Sequence, residues 1–133
     1  PHPGSWQDAQ VVRRAYELNV PLICMPSSSH GGVLPKTHSF VSCDAENVVI
    51  DWIKKAEDSR DLVLRLYEAH GSRGRAALTF SEPIASVMEC DLLEENEECL
   101  NAQGRVVELD ISPWEIKTLK VRLVEPPRTP AGS

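Results

Sequence analysis

The sequence predicts a mainly β protein: an antiparallel β-sandwich of about 7 to 8 strands with one short amino-terminal helix. In the carboxy-terminal two thirds of the chain, strand-like segments recur at near-regular spacing. No helical segment of about 10 to 15 residues separates them, which argues against parallel β-α-β units. Alternation is clearest near the end, where Leu119, Val121 and Leu123 point to one face and Lys120 and Arg122 to the other.

Residues 1–36 differ from the rest and predict a lead-in to the sandwich. Ser5 and Asp8 have the spacing of a capping box, so we expect a helix over residues 5–18 that the following proline ends. Residues 20–25 are apolar and predict one short strand. The serines and glycines that follow predict a flexible surface loop.

The predicted sandwich domain covers residues 37–126. Its strands are expected at 39–42, 47–55, 61–69, 75–80, 85–93, 105–111 and 115–124. Two of these strands flank residues 70–74, which contain two glycines and predict a hairpin loop. We expect residues 127–133 to form a disordered tail.

Composition limits the partners of the chain. Its 133 residues carry 14 Lys and Arg against 20 Asp and Glu, a net charge of −6 and a pI near 5.2. Nucleic acids and anionic membrane surfaces attract positive proteins, so neither is an expected partner. The longest apolar run, residues 20–25, is far shorter than the roughly 20 residues of a membrane span.

Several observations favour a reducing, cytoplasmic location over a lysosomal one. The four cysteines, Cys24, Cys43, Cys90 and Cys99, show no paired spacing, and no asparagine lies in a glycosylation sequon. The amino end lacks the basic and apolar regions of a signal peptide. Because the chain does not begin with Met, we expect it to be cut from a longer protein.

The acidic residues show no convincing catalytic arrangement. Glu57 and Asp58 form a carboxylate pair, but they precede a polar turn and are interpreted as solvated turn residues. Residues 89–98 contain six acids without the glycine and oxygen spacing of a calcium loop. We therefore expect an exposed acidic connection there.

The remaining candidates are equally weak. His30 and His38 bracket a glycine loop without a third ligand, and residues 27–29 are serines outside any nucleophile elbow. The glycine loops lack the P-loop lysine. The tryptophans Trp6, Trp52 and Trp114 are interpreted as core anchors. No catalytic, cofactor-binding or metal-ligating residue is therefore assigned in this chain.

Several ordered segments form a distinctive series of motifs. Residues 47–58, 62–68 and Gly71 carry the pattern "K-x-A-E-D … l-v-l-R-l-Y-E … G". This pattern resembles a segment of the carboxy-terminal β-domain of glycoside hydrolase family 38, the α-mannosidases. Further similarities are "A-x-x-L-N-x-P" at 15–21, "D-L-L-E" at 91–94 and "P-x-E-I-k-T-l" at 113–119. The resemblance spans nearly the whole chain except the serine- and glycine-rich loop, and it is strongest to the cytosolic (neutral) branch.

The resemblance implies a parent enzyme that hydrolyses α-mannosides and trims free oligosaccharides in the cytosol. It also implies a divalent metal, zinc or cobalt, held by His and Asp ligands in an amino-terminal catalytic domain together with the nucleophilic aspartate. None of those motifs occurs in this chain. The expected function is therefore a non-catalytic carboxy-terminal domain that supports the catalytic and middle domains of the same polypeptide.

Two other readings stay open at this point. One is an independent carbohydrate-binding or protein-interaction sandwich, which would use an exposed tryptophan as its binding surface. The other is a complete small enzyme, which the missing site disfavours. A retaining glycosidase needs two carboxyl groups about 5–5.5 Å apart beside the sugar, and no pair in the sequence predicts that arrangement.

Overall fold

The computed structural model of the chain describes residues 4–29, 31–32, 34–57 and 59–124. The chain divides after His38 into two compact units, which are described separately below. The predicted tail at 127–133 lies outside the described residues. Within the described ranges no helix is long and apolar enough to cross a bilayer.

The amino-terminal unit contains one helix, α1 (Val11–Asn19). The predicted capping-box contacts are present: Asp8 Oδ2 accepts from the Ser5 N–H at 2.9 Å, and Ser5 Oγ accepts from the Asp8 N–H at 3.1 Å. They cap a run of turns rather than the helix itself. Gln10 has a left-handed φ of 50°, which interrupts the helical path, so α1 begins six residues later than predicted.

The predicted strand at residues 20–25 is wrong. The described backbone there is irregular, and Leu22 and Ile23 are 96% and 89% exposed. A strand requires hydrogen bonds to a neighbouring strand, and no described residue supplies them to Leu22, Ile23, Cys24 or Met25. Residues 20–25 have the apolar composition that predicts a strand, but no described strand pairs with them.

The second unit is an antiparallel β-sandwich, which confirms the predicted fold class. Its nine described strands are β1 (Val41–Cys43), β2 (Val48–Lys55), β3 (Leu62–Glu68), β4 (Gly74–Phe80), β5 (Ile84–Cys90), β6 (Glu98–Leu100), β7 (Ala102–Gln103), β8 (Val106–Ile111) and β9 (Ile116–Leu123). They form a four-stranded sheet in the order β1-β4-β8-β7 and a five-stranded sheet in the order β2-β3-β9-β5-β6.

The core lies between the two sheets. The inward side chains of the five-stranded sheet include Leu64 and Leu119, which are cross-strand partners and at most 1% exposed. The four-stranded sheet contributes Leu78 opposite Val107, both 0% exposed. Alternating residues of each strand reach this core, as the period of a half-buried strand requires.

The structure refines several predicted strands. β6 and β7 were not expected, because two or three residues are too few to show an alternating pattern. The predicted strand at 85–93 ends at Cys90, where Asp91 starts a turn by accepting hydrogen bonds from the Leu93 and Glu95 N–H groups at 2.8 and 3.0 Å.

The predicted hairpin at residues 70–74 is wrong. Strand β3 lies in one sheet and β4 in the other, so this connection crosses between sheets. Strand β3 already pairs with β2 along one edge and with β9 along the other, which leaves no free edge for β4. Two more crossovers, 44–47 between β1 and β2 and 112–115 between β8 and β9, lie at the same end of the sandwich.

Candidate functional site

The candidate residues from the sequence do not converge on a catalytic centre. Glu57 is exposed and lies 3.7 Å from Lys54 Nζ, whereas Asp58 lies outside the described residues. His38 and the serines at 27–29 are exposed, and His30 also lies outside the described part of the chain. Across residues 4–29, 31–32, 34–57 and 59–124, no cluster of His, Cys, Asp and Glu is arranged to hold a metal ion.

The most highly organised polar group is Glu68, at the end of β3. Its side chain points inward and is 1% exposed. Oε1 accepts from Asn47 Nδ2 and the His70 N–H, both at 2.9 Å, and Oε2 accepts from the Gly71 and Trp114 N–H groups at 2.7 and 3.0 Å. These donors belong to all three crossovers at this end of the sandwich, so one carboxylate fastens the three connections together.

The hydrogen bonds determine the protonation state of Glu68. Burial alone raises the pKa of this carboxyl group. The backbone donation from Trp114, the Asn47 amide and the backbone donors of His70 and Ser72 favour the ionised form and lower the pKa to about 2. Glu68 is therefore a charged structural acceptor at neutral pH. Its oxygens are occupied by protein donors, which disfavours a role as a general acid or nucleophile.

Gly71 and Trp114 meet beside this carboxylate. Gly71 has a φ of +74°, and a Cβ added to it would lie 2.6 Å from Trp114 Cζ2. Only glycine allows both the left-handed backbone and the close approach of the indole. Trp114 itself has a φ of 61° and is 63% exposed. The indole is thus seated on the Gly71 backbone at the surface.

A second organised region is the outer face of the five-stranded sheet. The Arg65 guanidinium lies 4.5 Å from the Trp52 ring centroid, and Lys54 Nζ lies 5.5 Å from the same centroid. Trp52 and Arg65 are cross-strand partners on β2 and β3. A cation over an aromatic face is favourable and covers the ring, so this tryptophan is a packed part of the surface rather than an open binding platform.

The acidic segment at 89–98 is only partly the solvated connection that the sequence predicts. Glu94 and Glu97 form ion pairs with β-sheet lysines, Glu94 with Lys54 at 2.6 Å and Glu97 with Lys120 at 2.9 Å. The Lys120 side chain is 8% exposed, so its charge requires such a partner. These contacts hold residues 91–97 over the outer face of the sheet, a structural role that the charge pattern alone did not indicate.

An open cavity of about 980 Å³ lies at the other end of the sandwich. Its lining includes Arg122 and Asp61, which form a two-pronged ion pair at 2.7 and 2.9 Å. The Arg122 hydrogen bonds lower the pKa of Asp61. Because these two charges neutralise each other, Asp61 serves as an ion-pair partner rather than as an activated acid or base.

The prediction that the tryptophans are core anchors is wrong. The buried hydrophobic cluster of the described residues contains no tryptophan. Trp6 is 36% exposed in the amino-terminal unit, Trp52 packs under Arg65 outside the core, and Trp114 lies on the surface. The space between the sheets is filled by aliphatic side chains and Phe80, which leaves the bulky indoles to surface positions.

Comparisons with known proteins identify the family. Residues 47–119 match the family model for the "Glycosyl hydrolases family 38 C-terminal beta sandwich domain". Alpha-mannosidase 2C1 of Mus musculus is 40% identical over 132 residues, and the human (Homo sapiens) protein of that name is 41% identical over 133. Each alignment covers 96% of this chain and 12% of the relative.

A more distant relative, Alpha-mannosidase G of Dictyostelium discoideum, is 34% identical over 128 residues, which are 90% of this chain and 11% of that protein. The chain therefore spans a small part of the length of each of these relatives, 12% or less. The match to the family model, the two-sheet architecture and the similarity to these α-mannosidases agree. The chain belongs to the carboxy-terminal β-sandwich domain family of the family 38 glycosyl hydrolases.

Proposed function

We propose that this chain is a non-catalytic domain of a longer α-mannosidase, and that it supports the catalytic and middle domains of the same polypeptide. The observation that carries this proposal is an exposed apolar segment at residues 18–25. Its large side chains are between 58% and 96% exposed: Leu18, Val20, Leu22, Ile23 and Met25. An apolar segment of this kind is better suited to burial against a neighbour than to permanent contact with water.

The free energy gained by burying residues 18–25 supports a contact with a neighbouring domain. Fully burying an aliphatic side chain of this size contributes about 1.5–3 kcal/mol. Leu22 and Ile23 alone, when covered, contribute several kcal/mol, less the cost of ordering the segment. An alignment covering 96% of this chain necessarily includes residues 18–25, and the relatives continue far beyond it. The remainder of that polypeptide is the natural neighbour.

The polar side chains support a structural role for the sandwich. Glu68 accepts backbone hydrogen bonds, Asp61 is paired with Arg122, and Glu94 is paired with Lys54. Each of these carboxylates has a partner that holds strands or crossovers together. Hydrolysis of α-mannosides and trimming of free oligosaccharides therefore belong, in this proposal, to the remainder of the polypeptide. The divalent metal, zinc or cobalt, also belongs there.

We further propose a cytoplasmic location. The described cysteines Cys24, Cys43, Cys90 and Cys99 are all unpaired, and Cys90 is buried against Thr118 O at 3.6 Å rather than facing another thiol. Free thiols of this kind suit a reducing compartment. The lysosome is the alternative location. Titration of the unreduced, denatured protein should find four free thiols, and finding none would favour the lysosome.

The first experiment compares the full-length polypeptide with a version that lacks this domain. We expect the shortened protein to lose solubility and activity towards an aryl α-mannoside, since a buried apolar surface becomes exposed. The double substitution Leu22→Asp with Ile23→Asp should have a similar effect, while Ser29→Asp, an exposed polar site in the same unit, should not. A shortened polypeptide with full activity and solubility would refute the supporting role.

The second experiment tests the chain alone. It should not hydrolyse an aryl α-mannoside, with or without added zinc or cobalt, because no described cluster supplies a metal site or a paired acid and nucleophile. A mock-purified preparation serves as the control for contaminating glycosidase. Metal-dependent turnover above that control would contradict the assignment and favour a complete small enzyme.

An independent carbohydrate-binding module is the second candidate, and the exposed Trp114 is the observation in its favour. This alternative predicts that the chain alone is retained on immobilised mannose oligosaccharides. It also predicts that retention is lost when Trp114 is replaced. Retention together with an intact, active shortened parent would replace the supporting role with this one.

A further inference from the structure

We propose that Trp114 is a preformed docking anchor that inserts into an apolar pocket of another domain of the same α-mannosidase polypeptide. This inference rests on the proposed supporting function and adds the surface through which the sandwich contacts its neighbour. Trp114 and Ile116 lie two positions apart and are 63% and 56% exposed. Together they place two large apolar side chains at the end of the sandwich where the three crossovers meet.

The position of Trp114 is held by several contacts. Its backbone N–H donates to Glu68 Oε2 at 3.0 Å. The backbone at Trp114 adopts a left-handed φ of 61°, which non-glycine residues rarely occupy. Its indole lies where Gly71 lacks a side chain. The turn is closed by Glu115 Oε2, which accepts from the Ser112 N–H at 2.7 Å. The fold thus holds this aromatic ring outward at the cost of a strained backbone.

A fixed exposed aromatic is well suited to protein docking. Tryptophan is enriched among the residues that dominate binding energy at protein interfaces, and a side chain that is already ordered loses little conformational entropy on binding. Ile116 begins β9 opposite Tyr67 and is 56% exposed. The anchor and the flanking strand residue therefore fit a concave apolar partner.

The polar groups near the indole favour a protein pocket over a sugar. A carbohydrate platform needs free hydrogen-bonding groups beside the aromatic ring to bind hydroxyls. The nearby carboxylate of Glu68 is occupied by the donors of the crossovers. That of Glu115 accepts from Ser112 and lies 3.5 Å from Lys117 Nζ. The indole ring is exposed, but both carboxylates already have protein partners, which disfavours hydrogen bonds from them to a sugar.

Another exposed surface of the sandwich lacks these properties. The outer face of the four-stranded sheet presents Arg75, Glu108 and Asp110, with side-chain exposures of 70%, 66% and 86%. Arg75 lies 3.8 Å from Glu108 and 3.3 Å from Asp110. Such exposed, mutually paired charges are typical of a solvated surface. Compared with this charged face, the Trp114 end is better suited to contact the neighbouring domain, and we assign the contact to it.

Hydroxyl-radical footprinting of the full-length polypeptide and of this chain alone tests the contact. We expect oxidation of Trp114 to fall by about fivefold or more in the full-length protein, as for a side chain at the core of an interface. Trp52, covered by Arg65, is the internal reference and should be oxidised equally in both. Equal oxidation of Trp114 in the two proteins would overturn the proposal.

Trp114→Gly tests the energetics without disturbing the sandwich. Glycine relieves the strain of the left-handed φ and retains the backbone N–H that Glu68 accepts. These effects offset the lost contact between the indole and Gly71, so the unfolding midpoint of the chain alone should change little. In the full-length protein we expect release of the domain by limited proteolysis to become faster by about 30-fold, the effect of losing a strong interface anchor. Thr79→Gly, exposed on the four-stranded sheet, controls for a flexible substitution.

The outcomes separate this inference from the proposed function. If removal of the whole domain inactivates the parent but Trp114→Gly behaves as wild type, the supporting role stands and the anchor is wrong. If removal of the domain has no effect, the supporting role itself fails, and the anchor fails with it. If Trp114→Gly abolishes retention on a mannose oligosaccharide resin and leaves docking unchanged, the residue is a sugar platform and the anchor is refuted.

Discussion

Glu68→Gln should destabilise the sandwich strongly although it changes one oxygen to an amide nitrogen. The carboxylate accepts backbone N–H groups from two crossovers and the Asn47 side chain from a third. A glutamine keeps one acceptor and points an NH2 group at two donors. Hydrogen bonds to charged groups contribute about 1.5–3 kcal/mol each, so losing two of them costs about 3–6 kcal/mol.

The pKa supports the same magnitude. Folding lowers the pKa of Glu68 from 4.5 to about 2. At about 1.36 kcal/mol per unit of pKa, this lowering of the pKa corresponds to about 3 kcal/mol of stability for the ionised form. Glu68 is only 1% exposed, so little solvent screens its charge.

Urea unfolding followed by far-ultraviolet circular dichroism measures the effect. Glu108→Gln is the matched control, since Glu108 is 66% exposed and lies 3.8 Å from Arg75. That control should change the unfolding free energy by less than about 0.5 kcal/mol. A loss below about 1 kcal/mol for Glu68→Gln, or equal losses for both variants, would refute the role assigned to this carboxylate.

Three further predictions follow from the same geometry. Gly71→Ala should lower the unfolding free energy by about 2–4 kcal/mol, because the new Cβ clashes with the Trp114 indole and the positive φ strains alanine. Gly104→Ala is the control, since Gly104 has a φ of +63° but open space around it, and it should cost only about 1 kcal/mol. Equal losses for the two variants would contradict the clash. The depressed pKa of Glu68 contributes stability above about pH 4.5 that is lost as pH falls towards 2, so the wild-type and Glu68→Gln stabilities, measured by urea unfolding at a series of pH values, should converge on acidification. In the native chain, a thiol reagent should modify the exposed Cys24 rapidly. Cys90 is 8% exposed and burial raises the pKa of its thiol, so it should react only on unfolding. Similar rates for the two cysteines would contradict the burial of Cys90.

The sequence alone determined the fold class and the general identity of the domain. Alternation in segments such as β9 is a local property, because each side chain's face follows from its position along the strand. The prolines, glycines and serines after residue 25 indicated an irregular path in the same local way, although the strand predicted at 20–25 was wrong. The ordered segments around residues 47–71 and 113–119 also sufficed to indicate the family that the comparisons confirm.

Only the tertiary structure decided which strands pair and what the polar residues do. Residues 70–74 have the composition of a hairpin, but both edges of β3 were already taken by β2 and β9. The donors to Glu68 include Asn47 and Trp114, which are 21 and 46 positions away, and no local pattern reveals such a convergence. Whether a charge is paired or an indole exposed depends on which distant segments meet there, and chain folding alone sets those distances.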